Sequence, residues 1–185
     1  HLMGEIFTSP SRPFYQSVLI MNLKPIPVEK YEEFAQMQFA KFGKALEEGV
    51  VTNIYGRFDA VTSCIQRVLN VLFLKTQPNT RCTLDMVDAA ITYILDMFSE
   101  TYADLLDKIP EKQREVFIAI AREGKAQSIT SKNFIKKHHL QTVSVVTAAV
   151  RGLLDKDFIT QEKSTYMVYD PFFSLWLNRD DNHSR

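Results

Sequence analysis

Cysteine is scarce in this 185-residue chain, and no apolar run is long enough to cross a membrane. The two cysteines, Cys64 and Cys82, are too few for a disulfide framework, and no CxxC pair or cysteine–histidine cluster suggests a zinc site. No charged segment followed by an apolar one marks a secretory signal. We therefore expect two reduced thiols in a cytoplasmic protein that has no membrane partner.

The motifs with which P-loop enzymes hold ATP are also missing. None of the six glycines begins a GxxxxGK[ST] sequence, and no apolar run ends in the acidic residues that hold magnesium. Backbone amides and a lysine would be needed to bind and neutralise the phosphates. We therefore expect that this chain hydrolyses no ATP and has no catalytic residue, metal ligand or cofactor of its own.

Hydrophobic residues make up 45% of the chain, enough for one or two small domains with their own cores. Charges balance at 22 against 22 overall, but they are unevenly distributed. Residues 27–108 carry 8 basic and 12 acidic side chains, hence −4, whereas residues 110–177 carry 10 and 7, hence +3. A net charge of +3 is lower than that of a typical DNA-binding domain.

The first 26 residues predict a loop and one strand. Residues 9–13 contain two prolines and two serines, and residues 18–23 form a short apolar run before Pro25 and Pro27. One strand alone forms no stable sheet, so its partners should come from elsewhere. Together with a first residue that is His1, this leads us to expect a piece of a longer protein.

Between residues 27 and 109, apolar residues recur at three- and four-residue steps, which predicts an all-helical domain of three helices. The first is expected at residues 28–48, ending at Gly49. The second is expected at about residues 58–75. The third should begin after Thr83, a predicted N-cap, and end near Ile109.

Residues 110–178 predict a second domain, followed by a polar tail at residues 179–185. Three helices are expected: one at residues 111–123 that ends at Gly124, one through residues 134–137, and one that begins near residue 143. The predicted caps of the last two are Thr130 or Ser131 and Thr142 or Ser144.

Two β-prone runs follow, at residues 158–161 and 166–169, and predict a hairpin. Asp170-Pro171 then predicts the start of a last helix, because aspartate is a good N-cap and proline suits the first helical position. The order of three helices and a hairpin is that of a winged helix-turn-helix.

Three stretches carry a resemblance to a known family. Residues 109–116, 145–159 and 166–177 are similar to the C-terminal winged helix of prokaryotic AAA+/STAND-like P-loop ATPases of the archaeal ATPase group. The first 26 residues resemble the segment after the sensor-1 strand of these ATPases, and residues 56–66 resemble a helix of their lid.

The resemblance implies a mainly α fold: a remnant of the ATPase core at residues 1–26, a helical lid bundle at 27–109, and a winged helix with a small β-hairpin wing at 110–178. It implies that ATP and Mg²⁺ are bound by an ATPase core missing from this sequence, and that this part transmits the nucleotide state to a protein or DNA partner. It places Arg12 and Arg57 near the nucleotide. The alternative for both is a surface arginine with no such role.

A DNA-binding transcription regulator is the alternative function, and a standalone helical interaction protein is a third. With Val146, Val150 and Leu153 inward, the last helix before the hairpin should expose Ala148 and Asp155 beside its polar residues. These two favour a winged helix that packs on protein, whereas Arg151 alone could pair with guanine. His138 and His139 could join a phosphate-binding cluster. The candidates for contact with double-stranded DNA are Lys132, Lys136, Lys137, Ser144, Thr147, Arg151 and Lys163.

Overall fold

The computed structural model describes residues 24–179. Arg12, the strand predicted at residues 18–23 and the tail after residue 179 lie outside the described residues. About 62% of the residues described lie in eight helices, and five short strands form two small sheets. The mainly α fold predicted from the sequence is therefore confirmed.

The first half of the described chain is a helical bundle. Its helices are α1 (Val28–Lys41), α2 (Val50–Arg57), α3 (Thr62–Lys75) and α4 (Met86–Asp107). In α1 the buried residues Tyr31, Ala35 and Phe39 recur every four positions, which places them on the inner face. Between the helices, β1 (Ala45–Leu46) pairs in parallel with β2 (Arg81–Cys82).

The bundle has four helices where the sequence predicted three. The first helix ends at Lys41 because Gly43, with φ of +66°, turns the chain. The predicted end, Gly49, instead precedes α2 with φ of +88°. The prediction of one helix through residues 28–48 was therefore wrong.

Two further predictions in the bundle were wrong. The helix expected from residue 58 begins at Thr62, because Asp59 and Ala60 adopt positive φ values that break the helix. The expected cap, Thr83, makes no side-chain capping bond, and α4 begins three residues later at Met86.

The second half has the connectivity of a winged helix, as predicted. In chain order its elements are α5 (Glu111–Glu123), β3 (Ala126–Gln127), α6 (Lys132–Lys137), α7 (Val143–Asp155), β4 (Ile159–Glu162), β5 (Thr165–Val168) and α8 (Pro171–Leu177). The strands form an antiparallel sheet in the order β3-β5-β4, and the pairing of β4 with β5 runs from Ile159↔Val168 to Glu162↔Thr165. Strand β3, of two residues, was not predicted from the sequence.

The helix starts of this half follow their predicted caps. Ser131 Oγ accepts a hydrogen bond from the Phe134 amide at 3.2 Å, so Ser131 rather than Thr130 is the cap of α6. Thr142 rather than Ser144 caps α7, through a 3.3 Å bond from the Val145 amide. Local polar groups thus fix where the two helices of the helix-turn-helix begin.

A single hydrophobic core runs through both halves of the described chain. Phe58 from the bundle contacts Phe172 of α8, with ring centroids 4.8 Å apart. Tyr102 of α4 stacks on Phe173 at 4.7 Å and an interplanar angle of 11°. Helix α8 is therefore buried between the bundle and the winged helix. None of the helices at residues 24–179 is long and apolar enough to span a membrane.

Candidate partner and nucleic-acid interface

Helix α7 occupies the position of the recognition helix in a helix-turn-helix. Val146, Val150 and Leu153 are buried, as the periodicity predicted. Packing against α5 is close at Gly152, where a Cβ atom would lie 3.0 Å from Gln113 Cδ. The inner face of α7 is therefore fixed on α5, and the opposite face is free to contact a partner.

The exposed face of α7 is only weakly suited to reading DNA. Ser144, Thr147 and Arg151 are exposed as predicted, together with Ala148 and Asp155. Thr147 Oγ1 donates its hydrogen to the Val143 carbonyl at 2.9 Å, so this hydroxyl is already used as a donor within the helix. The guanidinium of Arg151 is thus the one strong donor on this face, beside an aspartate and an alanine.

The predicted basic cluster on α6 divides into two groups. Lys132 and Lys136 are exposed. Lys137 Nζ and His138 Nε2 both contact Glu123 Oε1, at 2.6 and 2.7 Å. These two hydrogen bonds hold the pKa of Glu123 below its usual value. Lys137 is therefore partly neutralised, whereas Lys132 and Lys136 remain available for phosphates.

His138 was wrongly expected to join this phosphate-binding cluster. Its side chain is buried against the Phe134 ring, with centroids 4.6 Å apart, and its Nε2 is occupied by Glu123. His138 therefore joins α6 to α5, and its side chain is only 5% exposed. Among residues 24–179 there is no cluster of histidine, cysteine or acidic side chains that could hold a metal ion.

Lys163 lies at the tip of the wing, where the sequence placed it. It adopts a φ of +54° in the turn between β4 and β5, and Gln161 Nε2 donates to its carbonyl at 2.8 Å. Lys163 is exposed, so its ammonium group extends from a turn of defined shape. A cation in this position can contact a phosphate or an acidic side chain of a partner.

A cleft of about 740 Å³ separates the wing from the bundle. One face of the hairpin lines it, with Thr160, Glu162, Thr165 and Met167, and the turn between α2 and α3 lies across from it. Lys125 joins the two sides through a 2.9 Å ion pair with Asp59. The sequence did not predict this cleft, because its two walls lie more than 60 residues apart in the chain.

Arg57 lies at the edge of the same cleft, at the C-terminal end of α2. Its guanidinium forms an ion pair with Asp88 of α4, and the two side chains are 40% and 73% exposed. Exposed ion pairs contribute about 1 kcal/mol or less, so Arg57 can exchange Asp88 for another anion at little cost. Its proximity to a nucleotide remains a prediction.

Three hydrogen bonds join α4 to the last helix and the residues beside it. Asp96 accepts from Arg179 at 2.8 Å, Ser99 Oγ accepts from Trp176 Nε1 at 2.9 Å, and Tyr102 donates to Asp170 at 3.0 Å. On α4 these contacts are three residues apart, so they lie along one face of that helix. These bonds were not predicted, although the aromatic residues of α8 indicate a helix that packs against another element.

Arg67 also stabilises the contact between α4 and α8 through its positive charge. Its guanidinium lies 5.0 Å from the Phe98 ring centroid and 5.2 Å from that of Phe172, so one cation contacts an aromatic ring on each side. Burial and the negative charge of Asp170 both raise the pKa of the Tyr102 hydroxyl. The hydroxyl therefore stays protonated and remains the donor to Asp170.

Comparison with known proteins agrees with this architecture. A family model described as a probable winged helix domain matches residues 100–179. The match begins within α4, so it includes Tyr102 but not Asp96 or Ser99. No curated protein matches the chain. Residues 100–179 are therefore a winged helix domain, carried by a mainly helical chain.

Proposed function

We propose that this chain is the lid and winged-helix part of a cytoplasmic AAA+-type ATPase, and that it transmits the nucleotide state of that ATPase to a protein partner. In this proposal the ATPase core binds ATP and Mg²⁺. The bundle closes over the nucleotide, and the winged helix moves with the bundle because the two are joined through α4 and α8.

The contact between α4 and α8 is the observation that carries the proposal. Its three hydrogen bonds involve Asp96, Ser99 and Tyr102, and the six residue steps from Asp96 to Tyr102 cover about 9 Å of α4. Any rotation of α8 on α4 would break these bonds together. At about 1 kcal/mol each, they contribute on the order of 3 kcal/mol against such a rotation, in addition to the buried aromatic rings.

Arg57 is the residue with which the bundle would sense the nucleotide. Its permanently charged guanidinium is suited to phosphate oxygens. The exposed pair with Asp88 is weak enough to be exchanged for a phosphate. Because Asp88 belongs to α4, release of Arg57 would alter a contact on the helix that holds the winged helix. Arg12 would act from the core side.

A protein partner fits the outer face of α7 better than DNA does. Asp155 and Ala148 lie on that face, and one of the nearby lysines, Lys137, is paired with Glu123. An aspartate would repel the phosphate backbone. An alanine cannot form a hydrogen bond with a base edge and offers only apolar contact with a thymine methyl group. The net charge of +3 at residues 110–177 is also small for a DNA-binding domain.

The gene that encodes this chain provides the first test. The proposal predicts an upstream reading frame in the same gene that contains a GxxxxGK[ST] motif, and ATP hydrolysis by the resulting protein. In that protein, ATP should change the distance between the core and the wing. A gene that has no such motif, or a protein with the motif whose wing does not move when ATP binds, would refute the proposal.

DNA binding is the second candidate, because Lys132, Lys136, Arg151 and Lys163 are all exposed on the α6, α7 and wing side. Fluorescence anisotropy with duplex DNA at increasing salt tests it. A DNA-binding protein that neutralises several phosphates loses affinity steeply, because each contact releases a counterion. Tight binding that depends on salt in this way would favour DNA over protein as the partner.

A further inference from the structure

An apolar groove lies between α1 and α3, on the bundle. It has a volume of about 410 Å³. Phe34 and Phe42, which line it, are 52% and 60% exposed, which is unusual for side chains of this size. All of its lining residues described here are uncharged: Tyr31, Phe34, Ala35, Gln38, Phe39, Phe42, Gln66, Leu69, Asn70 and Phe73.

Tyr31 lines the groove with its apolar ring. It is only 5% exposed, and its hydroxyl makes no hydrogen bond within the described part of the chain. Because the hydroxyl oxygen has almost no accessible surface, the groove presents apolar surface to its occupant.

The chain enters the bundle beside this groove. The Tyr55 hydroxyl donates to the Ile26 carbonyl at 2.9 Å, and the Tyr55 ring lies edge-on to Tyr31 with centroids 6.0 Å apart. Ile26 is therefore held at the Tyr31 end of the groove. The residues that precede position 24 start from this end.

The sequence of those residues matches the groove. Residues 14–23 are ten consecutive uncharged residues, and seven of these are Val, Leu, Ile, Met, Phe or Tyr. The α1 wall of the groove, from Tyr31 to Phe42, is about 16 Å long. An extended segment of six residues, such as 18–23, covers about 20 Å and can span it.

We propose that the groove between α1 and α3 binds residues 14–23 of the same chain. The apolar side chains of the segment cover Phe34 and Phe42. The inference goes beyond the proposed function and holds whether or not the chain belongs to an ATPase.

Photo-crosslinking in the full 185-residue chain tests the proposal. Benzoylphenylalanine replaces Phe34, whose shape it resembles, and the cross-linked peptides are mapped by mass spectrometry. We expect a cross-link to residues 14–23 within one chain, with a yield that does not depend on protein concentration. The same label in place of Met97, which is 60% exposed on α4, should give no cross-link to these residues.

A second variant checks that the side chains of the segment are responsible. Leu19→Asp with Ile20→Asp should lower the cross-link yield about tenfold or more, because two charges replace apolar side chains that the groove would bury. The matched control, Ser9→Asp with Ser11→Asp, should leave the yield unchanged. Cross-links between two chains, no cross-link to residues 14–23, or a yield that the Leu19/Ile20 change does not alter would each overturn the proposal.

Discussion

The hydroxyl of Tyr102 donates a 3.0 Å hydrogen bond to Asp170 Oδ2, while Asp170 Oδ1 accepts the Phe172 amide at 2.9 Å. One carboxylate therefore begins helix α8 and also ties it to α4, 68 residues earlier in the chain. The winged helix domain and the bundle share this residue pair. Its removal should weaken both the cap and the junction.

Tyr102→Phe is expected to lower the free energy of unfolding by about 1.5 kcal/mol, since hydrogen bonds to charged groups contribute about 1.5–3 kcal/mol. The phenyl ring can keep its stacking contact with Phe173. Urea unfolding followed by circular dichroism measures the change. Tyr169→Phe is the control, because Tyr169 is 66% exposed. Equal effects of the two substitutions would show that the Tyr102 hydroxyl contributes nothing.

Substitution of Asp170 separates its two roles. Asp170→Asn keeps a good N-cap but loses the charge, so we expect a loss of stability close to that of Tyr102→Phe. Asp170→Ala loses the cap as well and should cost about 1 kcal/mol more. The same unfolding titration measures both. If the asparagine variant were as unstable as the alanine variant, the cap would contribute little and the charge nearly everything.

Local chemistry explains which parts of the fold could be predicted from the sequence. The caps at Ser131, Thr142 and Asp170 are formed by residues next to the helices they begin. Asp170 was predicted outright, and Ser131 and Thr142 were each predicted as one of two alternatives. Gly43 and Gly49 both have positive φ, but nothing local distinguishes the glycine that ends α1 from the one that precedes α2. The first helix was therefore predicted to be too long.

Contacts between distant residues could not be predicted in this way. The β1–β2 pairing joins two-residue strands through Ala45↔Arg81 and Leu46↔Cys82, too short to give a periodic pattern. The hydrogen bond from Trp176 to Ser99 spans 77 residues. The exposed side chains of α7, by contrast, followed from helical periodicity alone. The position of a site residue on its helix was thus predictable, but its partners were not.

The ion pairs at Glu123 predict a dependence of stability on pH. Its pKa is lowered in the folded protein by hydrogen bonds from Lys137 and His138, relative to an ordinary value of 4.5. A group whose pKa is lowered on folding stabilises the protein above its unfolded pKa, and the contribution is lost as the pH falls through the folded pKa. The stabilisation should therefore be present at pH 6 and decline below about 4.5.

Glu123→Gln should abolish this dependence. We expect the variant to be less stable than the natural chain at pH 6 by about 1 kcal/mol, with the difference shrinking towards pH 3. Thermal unfolding at several pH values measures it. Glu162→Gln, an exposed change on the wing, should show no such trend. A difference that is constant or that grows at low pH would contradict the assignment.

On the side of α6, α7 and the wing, we expect duplex DNA to bind no more tightly than the nonspecific range of about 10⁻⁴–10⁻⁶ M at 150 mM salt. Lys132→Ala and Lys136→Ala should each reduce the slope of log affinity against log salt concentration by about one, because each removes one phosphate contact. Arg151→Ala should lower the affinity for all DNA sequences alike. Nanomolar binding to one sequence, lost about tenfold or more in Arg151→Ala, would instead identify a DNA-reading domain.

The distance between the bundle and the wing tests most directly whether the two move together. Spin labels are attached to Ala40→Cys in α1 and Ser164→Cys in the turn between β4 and β5, since both positions are exposed. The natural cysteines are buried, and burial raises the pKa of Cys64 to about 11, so they should remain unlabelled. Double electron–electron resonance should give one narrow distance population. A broad or two-peaked distribution would show that the winged helix moves independently of the bundle, and would contradict the proposal that the two move together.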